Sequence, residues 1–329
     1  MNRRTAFVVA VAVTLTLGLF AAPRRYVVDG VSMGPGLLPG DVVSTGWFAE
    51  LDRWRPPERF DRWIVTLPDG STGLKRVAGL AGETVALVAG DLVVDGRTVL
   101  KGPRLLAGLG SALDAAGPAG SAWSQAPALV LDDAPFATGE VSRLLLPVHD
   151  AGFAAEVVVA AGAVRTGPVR VRARVGPLSV VWRLPAAGRY AVVAGRLDGH
   201  AVAAAWPVGD RTGSTAGGRL CLPAAAPDRW PVARPWAEVT DADDEDRSPP
   251  LALDVTGADE PAVIERITTW RDVLLRPAAA GVATWSLAAG EIFVLGDFPS
   301  GSRDSRHFGP LERGALRQRI RPWAGWGDW

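Results

Sequence analysis

The sequence predicts a mainly β protein carried on one N-terminal transmembrane helix, with a β core and a large inserted β-rich lobe. Three observations lead there. Thr5 to Ala22 (TAFVVAVAVTLTLGLFAA) holds no charge and is flanked by Arg3, Arg4, Arg24 and Arg25, which suits a span near the short limit for crossing the hydrocarbon core. The 38 glycines and 26 prolines make up about a fifth of the chain, and such residues punctuate short strands and turns rather than long helices. Apolar and polar residues alternate with period two in several segments, as a half-buried strand requires.

Taken in order, residues 1–25 form the expected membrane anchor. A cleaved secretory signal is the rival, since Phe20-Ala21-Ala22 ends in small residues, but Pro23 would follow the cut directly and the apolar run is long for a signal core. The basic residues on the N-terminal side slightly outweigh those after the span, which places the rest of the chain outside the cytoplasm. Residues 26–100 read as short strands: Asp41–Ser44, Trp63–Thr66, and a meander of Thr84–Val88, Leu92–Val94 and Arg97–Leu100 with Asp95-Gly96 as a tight hairpin turn. Residues 101–127, rich in Gly, Ala and Ser, look like a linker or an irregular segment at the head of an inserted lobe spanning 101–285. Within the lobe, Val169–Val175 (VRVRARV) alternates strictly and sets Arg170, Arg172 and Arg174 on one solvated face. Asp241–Asp246 (DADDED) reads as an exposed acidic loop whose spacing fits no EF-hand. Strand patterns return at Val263–Leu275 and Glu291–Leu295, and residues 286–329 complete the core.

Composition excludes several classes. Lys plus Arg and Asp plus Glu are 35 each, so no net charge draws the chain to nucleic acid. The single Cys221 cannot form an internal disulfide, and three histidines (His149, His200, His307) leave no zinc-ligand spacing. No metal or other cofactor is expected. Thirteen tryptophans against two tyrosines serve packing or a lipid interface, and three of them lie in the tail Pro322–Trp329.

The chemistry-bearing residues fall in three separated segments. Gly30-Val31-Ser32-Met33-Gly34-Pro35-Gly36-Leu37-Leu38-Pro39-Gly40-Asp41 follows the anchor. Leu74-Lys75-Arg76-Val77-Ala78-Gly79-Leu80-Ala81-Gly82-Glu83 places a lysine in an apolar, strand-like run. Gly296-Asp297-Phe298-Pro299-Ser300-Gly301-Ser302-Arg303-Asp304-Ser305-Arg306-His307-Phe308-Gly309 is a polar cluster near the C-terminus. Alone, each has a structural reading: a glycine-rich turn, an edge lysine, a loop with an internal Asp–Arg pair.

Together and in this order they resemble the type I signal peptidases, membrane-bound Ser–Lys endopeptidases that remove signal peptides from exported proteins. Ser32-Met33, Pro35, Leu37, Gly40 and Asp41 fit that family's S-M-x-P-T-L-x-x-G-D. Lys75-Arg76-Val77, Gly79, Gly82 and Glu83 fit K-R-V-x-G-x-x-G-[DE]. Gly296-Asp297, Ser302 and Asp304-Ser305-Arg306 fit G-D-N-x-x-x-S-x-D-S-R. The similarity covers roughly 5–100 and 285–322. Gly36, Phe298 and His307 depart from the usual threonine, asparagine and aromatic residue.

The resemblance implies Ser32 as nucleophile, Lys75 as general base, Ser302 as the hydroxyl that orients the lysine, and Asp304 with Arg306 as a supporting pair. Asp297 belongs to the same support. Some members supply an oxyanion donor from a hydroxyl two residues before the nucleophile; here that position is Gly30, which leaves the Ser32 backbone N–H as the main donor. A Ser-His-Asp triad is the competing chemistry, but no G-x-S-x-G elbow surrounds Ser32. The implied partners are signal peptides of exported precursors and the lipid bilayer, with the catalytic part on the outer face of the cytoplasmic membrane and cleavage after small residues. The alternative is a weakened or specialised relative whose inserted lobe binds a partner. Pro23 to Val31 is only nine residues, at most roughly 30 Å extended, so the nucleophile is expected close to the lipid surface.

Overall fold

The computed structural model describes residues 22–116, 119–126, 131–132, 146–161, 169–208, 220, 222, 226–239, 249–256, 262–277 and 283–322. The expected anchor lies outside them except for residues 22–25, as do the acidic loop 241–246, Cys221 and the tail beyond Pro322. No helix among the described residues is long and apolar enough to cross a membrane. The described chain is mainly β and falls into two compact units, residues 1–86 with 277–329 and residues 87–276. Those joints lie at 86/87 and 276/277, where the sequence suggested 100/101 and 285/286.

The first unit is built on a seven-stranded antiparallel sheet ordered Arg25–Val27, Val42–Thr45, Leu316–Pro322, Arg62–Thr66, Thr72–Gly79, Glu291–Leu295, Leu311–Glu312. Strands from both ends of the chain therefore alternate, which brings the N-terminal and C-terminal motifs onto one sheet. Arg25, assigned above to the end of the anchor, already pairs with Ser44. The inner strand Thr72–Gly79, fifth of the seven, is buried from Lys75 onward. It packs Val77 with Trp63, Val65, Ile292, Val294, Leu311 and Leu316 into one cluster. A second cluster, Val28, Met33, Leu37, Val43 and Ile320, lies under the loop that carries Ser32.

The second unit is a sandwich of a six-stranded and a four-stranded antiparallel sheet. Val169–Val175 forms the expected strand, its valines and alanine buried and its three arginines exposed. It buries Val169, Val171 and Val175 against Phe153, Val157 and Val192 of the larger sheet. The larger sheet is apolar on both faces: Gly188–Leu197 and His200–Val208 run as nearly continuous buried strands because a second cluster covers the far face. That cover includes Leu106 of the helix Pro103–Leu109, which corrects the linker expected over 101–127. Pro103 opens the helix, and strands Ser111–Ala116 and Ala122–Gln125 follow as sheet edges. Asp95 and Gly96 both take positive φ, 49° and 76°, the geometry of the tight turn read from that dipeptide.

Candidate active site

Ser32 sits on a loop whose motif residues each hold its shape. Met33 and Leu37 are its buried plugs, 1% and 4% exposed. The turn between them is closed by the Leu37 N–H on the Met33 carbonyl at 2.8 Å. Gly40 takes φ +92°, a region that favours glycine. Asp41 accepts the Leu38 N–H at 2.8 Å, and its carbonyl accepts the Val28 N–H at 2.8 Å, tying the loop back to its start.

Lys75 lies mid-strand opposite Trp63 and is 4% exposed. Its ammonium donates to Ser302 Oγ at 3.1 Å, across 227 positions of sequence. Burial draws its pKa below the ordinary 10.5; Asp304 and Asp297 pull the other way, and Arg306 adds to the lowering. Ser32, Lys75 and Gly30 line one groove of about 580 Å³ with Val28, Leu67 and Leu74, and no histidine is among its lining residues. His307 instead caps a short helical turn with Asp304, while His149 and His200 belong to the second unit. Ser32 and Lys75 thus line one groove, and among the described residues that line it there is no imidazole.

The C-terminal segment locks this arrangement. The Phe298 N–H donates to the Ser32 carbonyl at 3.1 Å, so the residue that departs from the usual asparagine holds the serine through its backbone, which any side chain leaves in place. Gly296 passes so close that a Cβ there would lie 2.1 Å from Ser302 Oγ and 2.6 Å from the Ser32 carbonyl oxygen. At Gly301 a Cβ would strike the Phe298 ring at 2.4 Å, so the larger aromatic is accommodated by the glycine beneath it.

Two buried carboxylates frame the lysine. Asp304 accepts the Gly296 N–H at 2.9 Å and both Arg306 Nε and Nη2 at 2.8 Å. Burial pushes its carboxyl up, but contacts with His307 and Arg306 outweigh that and hold it well below the usual carboxylate range. The His307 Nδ1 takes the Asp304 N–H at 3.3 Å and stands 3.8 Å from the carboxylate.

Asp297 is the second carboxylate, and its partner is not apparent from the sequence. Arg76 Nε donates to its Oδ1 at 2.8 Å and Arg76 Nη2 to its Oδ2, while Arg76 Nη1 reaches the Phe60 carbonyl at 2.8 Å. Removing one member of such a buried pair costs about 3–5 kcal/mol, because the other charge is stranded. The only sequence signals are the dipeptides Lys75-Arg76 and Gly296-Asp297, 221 positions apart in the paired residues. Glu83 closes the turn after the lysine strand in a similar way, accepting the Leu80 N–H at 2.7 Å and Arg59 Nη2 at 2.6 Å.

Residues 2–113, which include the serine and lysine segments, match the family described as signal peptidase, peptidase S26. Over this part the chain is similar to the signal peptidases of that family, which are serine peptidases. Among curated proteins it is similar to signal peptidase I V of Bacillus subtilis (strain 168), with 36% identity over 74 residues, 22% of this chain. The chain spans 43% of the length of that relative.

Proposed function

We propose that the chain is a signal peptidase that cleaves exported precursors after small residues, with Ser32 as nucleophile and Lys75 as general base, at the outer face of the cytoplasmic membrane. The observation that carries this reading is the buried Lys75 ammonium, held by Ser302 in the groove that Ser32 lines, with burial favouring its neutral form. A neutral lysine takes the Ser32 proton as Oγ adds to the scissile carbonyl carbon. The oxyanion is received by the Ser32 backbone N–H. Collapse of the tetrahedral intermediate returns the proton from Lys75 to the leaving amine and leaves a seryl ester. Water, deprotonated by Lys75, then attacks the ester and frees Ser32.

The groove walls support a preference for apolar groups: Val28, Val43, Ile64, Leu67 and Leu74 line it together with Ser32. Membrane placement is supported by an apolar surface. Every large exposed apolar side chain described in the core unit lies between Val27 and Trp54, with Trp47 and Trp54 at 67% and 70% exposure, close in sequence to the expected anchor.

The decisive experiment follows cleavage of a precursor carrying alanine, leucine or phenylalanine before the cut. The wild-type chain processes the alanine substrate, while folded Ser32→Ala and Lys75→Met do not. Equal cleavage of all three substrates, or retained activity in Ser32→Ala, overturns the proposal.

A further inference from the structure

The second unit carries a charge cluster that the proposed peptidase chemistry leaves unused. Neighbouring strands of its larger sheet end at the same place. Asp150 precedes Ala151–Val159, Asp272 follows Ala262–Arg271, and Asp198 occupies the turn between Gly188–Leu197 and His200–Val208. The strand pairing makes their meeting compulsory: Ala151 is opposite Arg271, and the Asp272 N–H donates to the Asp150 carbonyl at 2.9 Å. Asp198 sits at φ 48°, and its N–H donates to Asp150 Oδ2 at 2.5 Å. Asp91, half-buried at the head of the strand Asp91–Val94, completes the set, with one carboxylate oxygen each of Asp91, Asp150 and Asp198 within 4.8 Å of one another.

Cations nearby do not balance this charge. Lys101, 2% exposed, bridges Asp198 Oδ1 and Asp272 Oδ2, the latter at 2.8 Å. Burial opposes its charge, but Asp198 and Asp272 outweigh burial and keep it protonated. Arg196 Nε stands 3.7 Å from Asp150 Oδ1. Among the described residues, four carboxylates face one lysine and one arginine, two more acids than bases. Asp272, 1% exposed, points to the same shortage from its own side: Lys101 meets its Oδ2, but its Oδ1 has no hydrogen bond and no cation within ion-pair reach among the described residues. Buried oxygens in that condition are strongly disfavoured unless a cation or a proton meets them.

We propose that Asp91, Asp150 and Asp198, backed by Asp272, hold one divalent hard cation of the calcium kind that fixes the end of the larger sheet. All the donors are oxygens, which suits calcium or magnesium rather than a softer metal. A divalent ion supplies the two charges that Lys101 and Arg196 do not. Calcium is the better fit, because its longer bonds and irregular coordination tolerate carboxylates fixed by backbone pairing, whereas magnesium demands a near-ideal octahedron.

The experiment uses the full-length chain in detergent, stripped with EDTA and titrated with calcium chloride or magnesium chloride alone. Calorimetry is expected to find one calcium per chain, and calcium at a hundredfold excess over its Kd raises Tm by about 5–10 °C over the EDTA form. Asp91→Asn weakens calcium at least tenfold yet melts no lower than wild type in EDTA, since it removes a repelling charge. Three results overturn the proposal. One is no calcium bound and equal Tm in calcium and EDTA, which assigns the excess charge to protons. Another is magnesium bound as tightly as calcium. The last is calcium bound equally by wild type and Asp91→Asn, which places the ion elsewhere. Metal content and Tm are read without substrate, so failure here leaves the peptidase proposal standing, and the reverse.

Discussion

Gly296→Ala offers the sharpest test of how the C-terminal segment shapes the groove. Gly296 has no positive φ among the described backbone, so alanine is conformationally allowed and the effect is steric alone. The new Cβ would lie 2.1 Å from Ser302 Oγ, 2.5 Å from Ser302 Cβ and 2.6 Å from the Ser32 carbonyl oxygen. The Ser302 hydroxyl can rotate; its Cβ and the Ser32 carbonyl cannot. To reach 3.0 Å, below which real Cβ contacts essentially never fall, the carbonyl must retreat by at least 0.4 Å, and Ser302 Cβ by 0.5 Å. Both groups bear on the proposed reaction, one as the nucleophile's own residue and the other as the lysine's hydrogen-bond partner. Misplacement by about 1 Å costs about 10²-fold in rate, so a shift of about half that is expected to cost about 10-fold, while overpacking costs about 1–3 kcal/mol of stability. The assay is kcat/KM on an alanine-type precursor, measured well below the melting point, together with Tm. Gly46→Ala serves as control, since its Cβ would meet nothing within 4 Å. The expected outcome is a loss of about 10-fold in kcat/KM for Gly296→Ala and none for Gly46→Ala. A folded Gly296→Ala enzyme with wild-type kcat/KM refutes the reasoning.

Other consequences follow from the same site. In the proposed mechanism Lys75 acts as a neutral amine, so kcat/KM should rise with pH along a limb centred below the ordinary lysine value of 10.5, and a limb at or above that value would contradict the assignment. Folding depresses this group, so the unfolded chain binds more protons between the two values and stability rises with pH across that window; Lys75→Met should abolish that slope in denaturant titrations. A Cβ at Gly30 would meet nothing within 4 Å, and the residue lines the groove. Gly30→Ser should therefore add an oxyanion donor and raise kcat by about 10–100-fold, and an unchanged kcat would show that the hydroxyl does not reach the oxyanion. Arg306→Gln removes the cation that offsets Asp304, so the limb assigned to Lys75 should move to higher pH; a profile superimposable on wild type would exclude that coupling.

The strands that can be read from sequence are those with local cause. Val169–Val175 shows its burial in its own alternation, and Asp95-Gly96 carries the turn it makes. Trp63–Thr66 and Glu291–Leu295 are legible for the same reason. Residues 101–127 mislead because their order comes from elsewhere. Pro103–Leu109 is short and Gly-flanked, and it is held by Leu106 entering a cluster with Val193, Val202 and Trp270, none within 80 positions. Lys101 looks like a surface lysine at the head of a linker, yet its partners Asp198 and Asp272 are supplied by the sandwich. In the core, Ser32, Lys75 and Ser302 stand out because three motifs recur in order. Composition could not reveal that Arg76 closes on Asp297, since that pairing exists only once Thr72–Gly79 lies beside Glu291–Leu295.

The layout of charge around Lys75 explains why a lysine can be considered as a base here at all. Burial alone lowers its pKa, but an unopposed carboxylate nearby would restore the charge. The core has two buried carboxylates whose fields reach the lysine, Asp304 and Asp297, and each is closed by an arginine: Arg306 on the first and Arg76 on the second. Arg306 acts on Lys75 in the opposite sense to Asp304, so the pair adds little net field while still fixing the backbone of Gly296 and the turn at Ser305. The direct partner left to the ammonium is the neutral Ser302 hydroxyl, which accepts a hydrogen bond from the charged form and can equally donate one to the free amine. A carboxylate in that position would hold the proton on the lysine, whereas a hydroxyl holds the side chain in place and lets the proton leave. The motif's spacing of Ser302, Asp304 and Arg306 thus does two separate things: it gives the lysine a neutral hydrogen-bond partner and neutralises the acid that anchors the loop.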